Sequence, residues 1–207
     1  RTTTHESTGS RDEEPHEATV IRDEEPLEAT LPEDVNAAFG RLLGGDPIPT
    51  LGAWAERMRQ GVDEADGIGI ENLCHADGET AHWGEVDGDR YHFICFYDAV
   101  VLAALTDGAV DVRTESPEGT VVEAHAVGTD ELTVSPEGTV FSIGVADDIE
   151  APADGDLTNA DIYAAVCPYV KAFPSVDAYE RWAEDVAAAT VAMPLSGATE
   201  LAAALVD

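Results

Sequence analysis

RYHFICFYDAVVLAAL, residues 90–105, changes character at its midpoint. From Tyr91 to Phe96 it is aromatic and β-branched, the composition of a buried strand. From Asp98 on, a run of Ala, Val and Leu predicts a helix. Asp98 stands where an N-cap belongs, since its carboxylate can accept from the free amide groups of a first turn. Cys95 falls three residues earlier, at the end of the strand. There the positive end of a helix dipole would lower a thiol below its free value of about 8.5. A soft nucleophile and a proton-carrying carboxylate thus arrive together at one junction. A cysteine in an apolar strand is also a common small core residue, and an Asp at a helix start is commonly only a cap. This stretch alone leaves both readings open.

Downstream, AVDVRTES, TVVEAHAV and TVFSIGVA, all within residues 109–146, alternate β-branched and polar positions and predict three antiparallel strands on the core. SPEG at 116–119 and again at 135–138 supplies the turns between them. An Asp/Pro/Gly-rich loop at 147–156 leads to DIYAAVCPYVKAF, which sets Cys167 directly before Pro168. Ser175 then caps an amphipathic helix with Val176, Tyr179, Trp182, Ala183 and Val186 inward, and GATELAAALVD predicts one more helix.

Upstream, strands are expected in GIGIENLCHADG and TAHWGEV, with DGDR as the hairpin turn into the central strand. Cys74, His75, His82 and His92 cluster here without paired zinc-ligand spacing, so they read as structural, Cys74 as packing. Before them, Val35, Ala38, Phe39, Leu42 and Leu43 form one helical face ending at Gly44-Gly45. Thr50 caps a second helix carrying Leu51, Trp54, Ala55 and Met58. Residues 1–30 hold an imperfect repeat, RDEEPHEAT then RDEEPLEAT, and their acidic, Pro-broken composition predicts disorder. The expected fold is α+β: an antiparallel or mixed β-sheet core with flanking helices over 81–207, a small helical, winged-helix-like N-terminal domain over 31–80, and a disordered acidic tail over 1–30.

Charge narrows the function classes. The 207 residues carry 43 Asp and Glu against 10 Lys and Arg, formally −33, and Lys171 is the one lysine. Such a surface opposes attraction to nucleic acid or anionic membrane, so neither is expected as a partner and a DNA-reading role for the two N-terminal helices is disfavoured. It suits a cytoplasmic protein of a high-salt cell, where screening removes most self-repulsion. No apolar run reaches the roughly 18 residues of a membrane span, and the acidic start lacks a signal-peptide pattern. Three cysteines, an odd count, point to reduced thiols rather than a disulfide scaffold.

Cys95 and Cys167 lie 72 residues apart and share one local feature: each sits at the end of an apolar element among aromatics. Brought together, they would offer two thiolates and, in Asp98, a carboxylate. Thiolates select soft metals, whereas Mg²⁺ and Ca²⁺ need several oxygens. A cysteine hydrolase using Cys95 with His92 or His125 as base is a rival reading. It is weakened because His92, three residues before Cys95 in a strand, would face the opposite way.

FICFYDAVVLAAL, VDVRTESPEGTVVEAHAV, LTVSPEGTVFSIGV and VCPYVKAFPSVDAYERWAED, in this order over about residues 84–190, resemble the catalytic core of the organomercurial (alkylmercury) lyases. The family pattern of Cys, two residues, Asp and a distant second Cys matches Cys95, Asp98 and Cys167. The acidic tail and the short 60–75 region depart from it. The resemblance implies protonolysis of a carbon–mercury bond to a hydrocarbon and Hg(II), in mercury detoxification. Cys95 would be first ligand and nucleophile, Cys167 second ligand, and Asp98 the acid that later touches the metal. It implies no resident cofactor, since mercury enters with the organomercurial substrate, and mercuric reductase or small thiols as acceptors of Hg(II). A non-catalytic soft-metal binder of the same fold is the alternative.

Overall fold

A computed structural model describes residues 18–22, 25–61, 68–150 and 158–206. The expected disorder of residues 1–17 lies outside these. Residues 18–22 and 25–30, expected in the same tail, are instead placed: Thr19–Val20 (β1) forms a strand, and Ile21, Ala29 and others are buried. The apolar Val20 and Ile21 sit between the two acidic repeats, and the burial of Ile21 with the partial burial of Val20 decides the matter locally.

Two helices follow, Glu33–Leu42 (α1) and Leu51–Gly61 (α2). Val35, Ala38, Phe39 and Leu42 of α1 are buried, and Thr50 Oγ1 accepts the Ala53 amide at 3.1 Å at the start of α2. Their apolar faces belong to the same cluster as the rest of the protein, including Phe93, Val101 and Ile143.

Strands Trp83–Val86 (β2) and Asp89–His92 (β3) form a hairpin whose turn residues Asp87 and Gly88 have φ of 54° and 88°. This is the left-handed pair that a two-residue hairpin demands. Helix Tyr97–Ala104 (α3) comes next, then strands Ala109–Glu115 (β4), Val121–Val127 (β5) and Glu131–Ser135 (β6). These build a five-stranded antiparallel sheet in the order β3-β2-β4-β5-β6. Along β5, Val122, Ala124 and Ala126 are buried while their neighbours are exposed, the period of a sheet wetted on one face.

The third expected strand, Val140–Ala146 (β7), is not in that sheet. It pairs with Ala172–Phe173 (β8) and Ala188–Pro194 (β9), and β9 pairs in parallel with β1, giving a second, mixed sheet of order β1-β9-β7-β8. Both central strands are buried almost throughout. At Gly144 a Cβ would lie 2.4 Å from the Ala189 carbonyl oxygen, so only glycine lets β7 and β9 approach this closely. Helices Asn159–Val166 (α4), Val176–Asp185 (α5) and Ala198–Val206 (α6) flank the sheets. The α3 helix is apolar nearly all round because it is enclosed, packed against α6, β2, β4 and β5. The protein is thus an α+β fold with one antiparallel sheet, one mixed sheet and flanking helices. No helix among the described residues is long and apolar enough to cross a membrane.

Candidate functional site

The junction at 90–105 is built differently from its sequence expectation. Regular strand pairing ends at His92; Phe93 still donates its amide to the His82 carbonyl at 2.9 Å and forms an isolated bridge with His75 on its other side. The partner of this stretch is the segment after a 3₁₀ turn at Ile70–Asn72: Ala76 N–H donates to the His92 carbonyl at 2.9 Å, and Ile94 N–H to the Cys74 carbonyl at 2.8 Å. GIGIENLCHADG is therefore not a regular strand. Its bridge carries Cys74 alongside Cys95.

Asp98 is not an N-cap. The helix begins one residue before it, with Phe96 in the cap position and no side-chain cap bond. The Asp98 carboxylate points across the junction instead, where its Oδ2 accepts the Cys74 amide at 2.5 Å. Cys167 arrives from the other side of the core, as the residue that ends α4 and opens a 3₁₀ turn through Pro168 to Tyr169. That turn is tied to β7 by Ser142, whose hydroxyl donates to the Tyr169 carbonyl at 2.7 Å.

The result is a convergence of three sulfurs. Sγ of Cys74, Cys95 and Cys167 all lie within 4.8 Å of one another, with Cys74 and Cys95 3.7 Å apart. All three are reduced and buried. The two cysteines singled out by sequence are together with Asp98. Cys74, expected to serve packing, stands with them. Its signal was absent locally, because it depends on the pairing of residues 74–76 with 92–94.

A cavity of about 100 Å³ opens beside the cluster. Cys95, Asp98 and Cys167 line it with Tyr97, Tyr163, Val166, Val170 and Leu205 among others, and among the described residues no Lys or Arg is in its wall. Cys74 is not among the lining side chains; its neighbour Leu73 is. Tyr163 donates to the Asn72 carbonyl and so fastens α4 to the Cys74 segment. The Tyr97 hydroxyl donates to the Ala198 carbonyl at 2.8 Å, and its ring stacks on Phe141.

Four acidic groups without a nearby cation cannot all ionise. Burial pushes the Asp98 carboxyl well above the usual carboxylate range, reinforced by the charge of Cys74. Part of the Asp98 surface remains open, but onto an apolar hollow rather than bulk water. Cys74 is the thiol that gives up its proton most readily, because Cys167 and then Cys95 can donate to its sulfur. The Cys95 and Cys167 thiols are held above the ordinary thiol range, chiefly by their hydrogen bonds within the cluster. The lowering expected at Cys95 from a helix dipole is not found: its thiol is shifted upward, and the downward shift falls on its neighbour Cys74. Chemically the site is a pair of cavity-facing thiols, a third sulfur behind them and a carboxyl group whose burial favours its protonated form.

The four histidines among the described residues have other partners. His92 Nδ1 accepts the Thr80 amide at 3.0 Å, and His125 pairs with Asp111 at 2.7 Å on an exposed sheet face. His75 meets the Ile70 carbonyl at 2.7 Å and His82 meets Thr114 at 2.6 Å. None of these contacts supplies Cys95 with a base, as a hydrolase would need.

The family model described as MerB: Alkylmercury lyase matches residues 76–207. No curated protein matches the chain. Among solved structures, the mercury-bound form of MerB2 is similar at 17% identity and a TM-score of 0.47, covering 86% of this chain and 93% of that one.

Proposed function

The chain belongs to the alkylmercury lyase family, and on that premise we propose that it cleaves carbon–mercury bonds by protonolysis, releasing a hydrocarbon and Hg(II). The observation that carries the reading is the meeting of Cys95, Cys167 and Asp98, whose carboxyl burial holds above the usual carboxylate range, on the wall of one apolar cavity. Soft thiolates favour mercury, and the apolar wall suits the organic group it carries. The absence of Lys and Arg from that wall suits a substrate that brings its own positive centre.

The Cys95 sulfur attacks mercury and displaces the counter-ligand, which leaves with the thiol proton. Sulfur donation raises electron density on the mercury-bound carbon. Asp98 then delivers its proton there, the carbon–mercury electron pair forms the new C–H bond, and the hydrocarbon departs. Cys167 binds the exposed mercury and returns its own proton to Asp98. The ion is left between two sulfurs and the acid is restored. Mercury is substrate and product, and the steps need no resident cofactor. Small thiols or mercuric reductase are the proposed acceptors of Hg(II), and a cytoplasmic, high-salt setting is the proposed habitat for so acidic a surface.

Phenylmercury incubated with the protein should yield benzene, measured by gas chromatography. Cys95→Ser and Cys167→Ser should each abolish it. Binding of phenylmercury by the wild type without benzene would favour a metal-binding protein of the same fold. Full turnover by Cys167→Ser would refute the assignment of that sulfur.

A further inference from the structure

We propose that Cys74 supplies a third sulfur to Hg(II) after the hydrocarbon has left, so that the product rests in a three-thiolate site rather than between two cysteines. The inference depends on the lyase reading for the origin of the ion, but the site itself depends only on geometry. The family match begins at residue 76, so it assigns nothing to Cys74.

The three sulfurs form a triangle with one edge of 3.7 Å and none longer than 4.8 Å. The centre of an equilateral triangle with edges in that range lies about 2.1 to 2.8 Å from each corner (edge divided by √3), a span that includes the metal–thiolate length of about 2.3 Å seen for zinc. One ion can therefore touch all three without a loop moving. Cys74 is also fixed on both sides of its Cα: its amide donates to Asp98 and its carbonyl accepts from Ile94. A side chain retained only to fill space needs no such alignment of its sulfur with two others.

Position sets the order of events. Cys95 and Cys167 line the cavity and meet the organomercurial first, while Cys74 does not line it. Once carbon has left, mercury has lost a ligand and can settle inward against the third sulfur. A lone pair of the Cys74 sulfur forms the new S–Hg bond, and the proton of that thiol passes to solvent as the bond forms, so the ion ends in a tris-thiolate of one negative charge. The consequence is a tighter hold on the toxic product, which then leaves by exchange with incoming thiols rather than by simple dissociation.

The test adds mercuric chloride directly, one equivalent to the full chain in buffer free of thiols, and reads coordination by mercury-edge X-ray absorption. Three sulfurs per mercury in the wild type and two in Cys74→Ser support the proposal. Two sulfurs in the wild type overturn it, and this arm stands even if the variant does not fold. Three sulfurs persisting in folded Cys74→Ser also overturn it, since Met58, a thioether in the cavity wall, would then be the third donor. Transfer of Hg(II) to an external dithiol should be at least tenfold slower from the wild type than from the variant, and equal rates would count against the proposal. Because the ion is supplied ready-made, the outcome is separate from lyase activity. Benzene release with two-sulfur mercury sinks this inference alone, and three-sulfur mercury without benzene release sinks the lyase reading alone.

Discussion

Replacing Asp98 with Asn should move activity and stability in opposite directions. Asn has nearly the same shape, and its carbonyl oxygen can still accept the Cys74 amide now bonded to Oδ2. What it lacks is a proton to give. Loss of a positioned general acid costs about 10²–10⁴ in rate, or roughly 2.7–5.5 kcal/mol of transition-state stabilisation. Stability follows the opposite course. The folded carboxyl titrates well above its ordinary value of 3.8. Below that pH both folded and unfolded chains hold the proton and there is no penalty. As pH rises past it, the unfolded chain ionises while the folded one does not, so the wild type loses about 1.4 kcal/mol for each further pH unit until the folded group also ionises. Asp98→Asn carries no such loss. Benzene release from phenylmercury should therefore fall at least a hundredfold. Denaturant unfolding should show the variant gaining on the wild type between mildly acidic and neutral pH. Turnover within tenfold of wild type, or a stability gap that moves against Asn as pH rises, would refute the reasoning.

Other perturbations test the frame around the site. Tyr97→Phe removes the donor to the Ala198 carbonyl in a buried setting and should cost about 1–3 kcal/mol, with an unchanged unfolding midpoint as the contrary result. Gly144→Ala would set a methyl group 2.4 Å from the Ala189 carbonyl oxygen. It should destabilise by about 1–3 kcal/mol or more, and a neutral effect in denaturant titration would mean that β7 and β9 are less tightly apposed than described. Raising salt from 0.1 to 1 M shortens the screening length from about 10 to about 3 Å. With 43 acidic against 10 basic residues, Tm should rise substantially, and a flat salt dependence would contradict self-repulsion as a cost of folding.

Much of this arrangement was written locally in the chain. The alternation in Val121–Val127, the Asp87-Gly88 turn and the Ser175 cap each record a local preference, and each is found where the residues call for it. The division into two sheets was not legible. AATVAMP, residues 188–194, is buried on both faces as a central strand, so it carries no polar alternation to announce itself. Cys95, Cys167 and Asp98 could be singled out because their chemistry is unusual together. The carboxylate direction could not, because Asp98 answers an amide 24 residues upstream rather than its own helix. Cys74 was missed for the same reason: its place is set by a bridge between distant segments, which leaves no periodic trace in the sequence.

The hydrogen bond from residue 74 to Asp98 comes from the main chain, not from a side chain. A small residue such as Ser or Ala at that position can go on aiming the carboxyl group, and burial, the main cause of its raised pKa, stays. The sulfur at 74 can therefore be exchanged, in the laboratory or over generations, while the acid keeps its direction. A single site along the polymer holds two instructions that can be edited apart: how the acid is pointed, and how long the metal lingers.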